Sequence, residues 1–188
     1  MADIPVNSEL GLMIAEEYFA FEESSEVRHE FHNGELFIVA GTTKTHNLLV
    51  DNVKDLIKKE FRPRDCQVFS ENVKVELEKG KRYVYPNVVL TCHEFDKRDD
   101  IVVRYPSLIV EVLSEGTSGY DRGLKFQRYR TLSTLQYYLL IEQTPFLAEL
   151  YSRTESRHLW TYRAFTEAED VILFPALDFS ITVKDIYE

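Results

Sequence analysis

One stretch constrains the fold more than any other: Pro106 to Tyr129, PSLIVEVLSEGTSGYDRGLKFQRY. It begins with an apolar run that is interrupted by a single carboxylate, Glu111. Side chains alternate along a strand, so Ile109, Glu111 and Leu113 share one face, and Leu108, Val110 and Val112 share the other. Both faces are apolar, which predicts an interior strand covered on both sides. A carboxylate buried there costs several kcal/mol (roughly) unless it is paired, protonated or metal-bound. The following residues supply a partner. After the polar connection Ser114 to Ser118, a helical pattern runs from about Asp121 to Thr131, with Asp121, Lys125 and Tyr129 four apart on one face. Two readings stay open. One is a structural ion pair of Glu111 with Lys125 or Arg128, the commoner origin of buried charge. The other is a metal ligand beside a catalytic lysine.

The rest of the chain frames that unit. A first helix is expected over Ser8 to Glu23, with Ser8 as its cap and Glu16, Glu17, Glu22 and Glu23 on a solvated face. Asn33-Gly34, within VRHEFHNGELFIVA, suits a tight hairpin turn. Glu30 in its first strand reads as a cross-strand partner of Arg28 or of a lysine. Thr42 to Phe61 carries the apolar stripe Leu49, Val53, Leu56 and Ile57 of a long helix capped by Thr42 or Thr43. His46 falls in its first turn, where capping or packing is the more common role. Strands are expected over Gln67 to Ser70, Val73 to Leu77 and, as one element, Arg82 to Leu90. Pro86 belongs at an edge or at an entry to pairing. Asn87, at the head of Val88-Val89-Leu90, is either turn chemistry or a site residue. Leu135 to Ile141 reads as a further buried strand. Phe146 to Tyr151, His158 to Arg163 and Val171 to Phe174 read as antiparallel strands in which Glu149, Arg153, Arg157 and Arg163 are half-exposed, and Thr182 to Ile186 as a last helical turn.

Length and charge narrow the function. At 188 residues the natural expectation is one domain, 1–188, with a substantial core. No apolar run approaches the ~20 residues of a membrane span, and no export signal opens the sequence. Cys66 and Cys92 are the two cysteines, and they read as free thiols in a reducing compartment, hence cytoplasmic. A net charge of −10 argues against indiscriminate nucleic-acid binding and favours cations as surface ligands. The basic residues of 54–64 and 79–82 are weak candidates for contacts to a nucleic-acid backbone.

The segments VRHEFHNGELF, THNLLV, YPNVVL and LIVEVLSEGTSGYDRGLKFQRYRTLSTLQYYLLIEQ, taken in that order, resemble the putative restriction endonuclease family of the Uma-two type, in the PD-(D/E)XK nuclease superfamily. The resemblance runs from about Ser8 to Glu142 and more loosely into the C-terminal strands. It implies an α/β (mixed α+β), restriction-endonuclease-like fold: a mixed central sheet flanked by helices, here with extra antiparallel C-terminal strands. It implies Mg²⁺ or Mn²⁺ held by Glu111 and the residue at the "PD" position, with Lys125 as the assisting lysine and DNA as the substrate. Glu30 and His46 match recurring family positions, Glu30 as a further metal ligand. Asp121 would hold Lys125, and Tyr129 would touch phosphate or pack the lysine stem. One departure stands out. "PD" reads Pro86-Asn87, so a neutral oxygen replaces an anionic one. This admits the alternative of a disarmed nuclease fold that binds a partner. A homodimer is the further expectation.

Overall fold

The computed structural model describes residues 5–6, 11–39, 41–114, 116–156 and 158–188. Strands β1 (His29–His32) and β2 (Glu35–Ile38) form the expected hairpin. Its two turn residues both take positive φ, 52° at Asn33 and 97° at Gly34, the backbone of a type I′ turn. Glycine is required twice over at position 34, because a Cβ there would lie 2.9 Å from Cβ of Leu12. Helix α1 (Ala15–Ser24) starts after an extended Ile14, and its expected cap, Ser8, lies outside the described residues, as does Arg157. Its face is not uniformly solvated. Glu22 is buried, because its carboxylate accepts from the backbone N–H of His29 (3.0 Å) and the hydroxyl of Tyr85 (2.7 Å), and lies 3.0 Å from Nδ1 of His29.

Helix α2 (Lys44–Phe61) is capped by Thr43, whose hydroxyl accepts from the N–H of His46 at 3.1 Å. Next come β3 (Gln67–Ser70) and β4 (Lys74–Glu78). The single strand expected over Arg82 to Leu90 is two, β5 (Arg82–Val84) and β6 (Val88–Thr91), and they belong to different sheets. Pro86 gives the reason: it has no N–H for a ladder and holds the residue before it extended, so the chain changes sheets there. A further short strand, β7 (Val102–Val103), is not legible in the sequence, being two residues long. Then follow β8 (Leu108–Val112) and β9 (Tyr137–Ile141), then β10 (Ala148–Arg153), β11 (Trp160–Phe165), β12 (Val171–Phe174) and β13 (Phe179–Thr182).

Two mixed sheets carry the architecture. One runs β2-β1-β5-β4-β7, the other β11-β10-β9-β8-β6-β3, and β12-β13 form a small third ladder. β8 is interior, antiparallel to β6 and parallel to β9. Parallel neighbours need a crossover, and the helix of residues 118–129 supplies it. The alternation read from the sequence holds. Leu108, Val110 and Val112 pack with Leu49, Val53 and Ile57 of α2. Ile109 and Leu113 pack on the other side with Tyr129 and with Val75 and Val84 of the five-stranded sheet. Glu111 therefore faces the seam between the two sheets and the crossover helix. Among the described residues no helix is long and apolar enough to cross a membrane.

The cysteines are not free thiols: Cys66 and Cys92 form a disulfide with an S–S distance of 2.07 Å. Strand register explains it. β3 pairs antiparallel with β6, Gln67 opposite Thr91, so the next opposed pair is Cys66 and Cys92. The inference of a reducing compartment rested on free thiols and goes with them. The bond closes a loop across a sequence separation of 26. Reduction should cost about 3 kcal/mol of stability by loop-closure entropy. Urea melts with and without dithiothreitol, beside a Cys66→Ser/Cys92→Ser variant, measure it. Equal midpoints in all three would remove the cross-link's contribution.

Candidate active site

The crossover helix begins as Ser118–Tyr120, widens into a π-helical turn over Asp121–Lys125 and closes as Phe126–Tyr129. Single π turns inside helices mark functional sites more often than chance. Here the turn carries Asp121 and Lys125, both buried, against Glu111 on β8. Lys125 Nζ lies 2.8 Å from Oε1 of Glu111 and 3.3 Å from Oδ1 of Asp121. Tyr129, one turn further on, donates its hydroxyl to Oε1 of Glu111 at 2.8 Å. Tyr129 thus orients the carboxylate; it neither lies free to meet phosphate nor simply packs the lysine stem. The partner of Glu111 is Lys125 and not Arg128.

The sheet change at Pro86 brings in the fourth residue. The backbone N–H of Asn87 approaches Oε2 of Glu111 at 3.4 Å, and Asn87 Oδ1 accepts the N–H of Val112 at 2.8 Å. The side chain of Asn87 therefore ties the head of β6 to β8, and one of the two lone pairs of its oxygen is committed. Glu30 reaches the same seam from β1. Its Oε2 lies 3.1 Å from Nε2 of His32, and its Oε1 is 3.4 Å from the N–H of Tyr85. The expected cross-strand contact with Arg28 is not made, since Arg28 donates to the Glu22 carbonyl.

Charge follows from this geometry. Burial pushes the Glu111 carboxyl up to about 7, against the pull of Lys125 and with reinforcement from Asp121. Burial opposes charge on Lys125 too, but the carboxylates of Glu111, Glu30 and Asp121 outweigh it and hold the ammonium above its ordinary range. Burial also raises Glu30, but His32 and Lys125 more than offset it and leave the carboxyl low. His46 is buried at the start of α2, and burial lowers its imidazole despite Asp121. Its Nε2 is 3.8 Å from Glu71, and its Nδ1 has no hydrogen-bond partner among the described residues. Glu111, Lys125, Asp121, Tyr129 and Asn87 thus touch one another, whereas Glu30 and His46 act on the group through space.

Mg²⁺ and Mn²⁺ take hard oxygen ligands. The oxygens of Glu111, Glu30 and Asn87 fit such an ion in kind. Among the described residues, no three His, Cys, Asp or Glu side chains are grouped to hold one. Asparagine at 87 leaves that set with two carboxylates.

Sequence reading missed a second set of side chains at the site. Arg128 NH1 donates to the Tyr120 hydroxyl at 2.7 Å and stands 3.4 Å from both ring nitrogens of His32. Burial raises Tyr120 to about 12. Gln143, just past β9, accepts from the Thr43 hydroxyl and donates to the Leu113 carbonyl, both at 2.7 Å, locking the α2 cap to the end of β8. The one available signal was the eight-residue spacing of Tyr120 and Arg128, which puts them on a stripe adjoining that of Asp121 and Tyr129. In the basic segments 54–64 and 79–82, Lys54 pairs with Asp51, Arg64 with Glu60, and Lys81 and Arg82 with Glu78.

Comparison with known proteins places this geometry in a family context. Residues 15–184 match the family described as Uma2, putative restriction endonuclease. Uncharacterized protein slr1290 of Synechocystis sp. (strain ATCC 27184 / PCC 6803 / Kazusa) is 30% identical over 172 residues, which is 92% of this chain and 90% of that protein. Uncharacterized protein sll1609 of the same organism is 34% identical over 148 residues, 78% of this chain and 84% of its own. The fold is similar to the crystal structure of a putative nuclease belonging to DUF820 from Anabaena variabilis ATCC 29413. The TM-score is 0.74 at 15% identity, covering 93% of this chain and 97% of that one.

Proposed function

Because this chain belongs to the Uma2 family of putative restriction endonucleases, we propose that it hydrolyses phosphodiester bonds of DNA with a divalent metal at the seam around Glu111. The observation that carries this reading is the buried Glu111–Lys125 pair, 2.8 Å apart, at the end of an interior strand. Glu111, with the oxygens of Asn87 and Glu30, would hold Mg²⁺ or Mn²⁺, which supplies Lewis-acid stabilisation of the phosphate and a more acidic water. Lys125 stabilises the negative charge that develops on the phosphoryl oxygens. Asp121 holds that lysine from one turn away, and Tyr129 fixes the rotamer of Glu111 through its hydroxyl.

Asn87 sets the level of activity in this reading. Its Oδ1 already accepts the N–H of Val112, and an aspartate there would keep that bond and add an anionic oxygen. Asn87→Asp should bind Mn²⁺ on the order of 10- to 100-fold more tightly than the native chain, the scale of change seen when a metal site gains or loses a supporting group. Calorimetric titration of metal-free protein measures this, beside cleavage of plasmid DNA in Mn²⁺. If neither chain cleaves and the substitution leaves the binding heat unchanged, the hydrolase assignment fails. Cleavage by Asn87→Asp alone would instead favour the second reading, a nuclease fold disarmed at one residue, which the Val112 contact supports.

A further inference from the structure

We infer that Arg128, presented by Tyr120 and His32, is a phosphate clamp that grips the nucleic-acid backbone beside the Glu111–Lys125 pair; this rests on the phosphodiester reading above. Three other cations are paired with carboxylates. Lys125 is committed to Glu111 and Asp121. Arg122, on the same helix, is committed to Glu142 and Glu149. Arg104 is committed to Glu76 and Asp99. Arg128 is different. Among the described residues no carboxylate lies within ion-pair distance of it. Its guanidinium is held at 2.7 Å by the hydroxyl of Tyr120 and at 3.4 Å by the ring of His32, and it lies 5.8 Å from the centroid of the Tyr120 ring.

Glu30 engages the same His32 ring, with Oε2 3.1 Å from its Nε2. Arg128 is half-buried, and the hydrogen bonds that hold it all use NH1, which leaves the donors of Nε and NH2 uncommitted among the described residues. A guanidinium ordered by a hydroxyl and an imidazole ring, with no carboxylate within ion-pair distance among the described residues, keeps its charge and several N–H donors for an incoming anion. Its planar fork suits the two non-bridging oxygens of a phosphodiester, which accept two parallel hydrogen bonds. Its position one turn from Lys125 sets it to hold the phosphate being attacked or the one next to it. Arg128 is a positioning residue, as it contributes no proton or nucleophile.

The test is binding without cleavage. A fluorescein-labelled 20-base-pair duplex is titrated with native chain, Arg128→Gln and Arg128→Lys in EDTA, from 50 to 200 mM salt, and anisotropy gives log K against log salt. One lost phosphate contact should lower the slope by about 0.9 in Arg128→Gln. Arg128→Lys should keep most of the slope while binding several-fold more weakly, since a point charge replaces a fork. An affinity loss in Arg128→Gln with no change in slope would mean that the arginine only props up Tyr120, and would overturn the clamp. Inorganic phosphate provides a reading independent of DNA. If the native chain binds no duplex, the DNA assignment fails, yet phosphate should still raise its melting temperature and fail to raise that of Arg128→Gln. Equal phosphate shifts in the two chains would overturn the clamp on its own.

Discussion

Lys125→Met is expected to destabilise the fold by about 3–5 kcal/mol at pH 8, the cost of leaving a buried charge without its partner. Lys125 is 8% exposed and Glu111 3% exposed, so little water can replace the missing ammonium. Asp121, also buried, loses the same partner. The loss carries a pH signature. The folded pKa of Glu111, about 7, lies above the ordinary carboxyl range, and removing Lys125 raises it further, since the ammonium favours the charged form. Below both values the Glu111 carboxyl is neutral, and the substitution then forfeits its contacts to Asp121 and Glu30 but no longer strands the Glu111 charge. The penalty should therefore be largest above neutral pH and shrink as pH falls toward 5. Denaturant titrations at pH 5 and pH 8 measure both numbers. The double variant Lys125→Met/Glu111→Gln keeps an acceptor for the Tyr129 hydroxyl and should recover most of the loss at pH 8. A penalty independent of pH, unrelieved in the double variant, would mean that the lysine stem and not its charge holds the seam.

The second large effect separates chemistry from stability. Glu111→Gln preserves volume and still accepts from Tyr129 and Lys125, but removes the charge. If Glu111 holds the metal, cleavage of plasmid DNA in Mn²⁺ should fall on the order of 10²- to 10³-fold, the scale for deleting one electrostatic element of a phosphoryl-transfer site. Mn²⁺ binding by calorimetry should fall with it. Circular dichroism and the denaturation midpoint show whether the fold persists. Glu111→Gln that folds and cleaves at the native rate would assign the Glu111–Lys125 pair to structure alone.

These expectations trace to residues that the sequence displays in order. The alternation around Glu111 fixed an interior strand with one inward acid, because a two-residue period admits one assignment of faces. The four-residue spacing of Asp121, Lys125 and Tyr129 fixed a helix face turned toward it, since helical neighbours recur at that interval. Asn33-Gly34 specified its own turn, and the cap of α2 was narrowed to Thr42 or Thr43, of which Thr43 serves. All of these depend on residues within a few positions of one another, where chain geometry leaves few options.

Tertiary structure decided what depends on distant segments meeting. That Tyr129 gives its hydroxyl to Glu111, that Asn87 spends its oxygen on Val112, and that Glu22 is buried under Tyr85 follow from how two sheets close on one helix. The disulfide required the pairing of β3 with β6, because two cysteines 26 residues apart carry no register until strand order is known. The Tyr120–His32–Arg128 group joins β1 to a helix about ninety residues later. Local sequence sets backbone conformation through short-range sterics and hydrogen bonds, but partners across the core are chosen by packing, which no single segment contains.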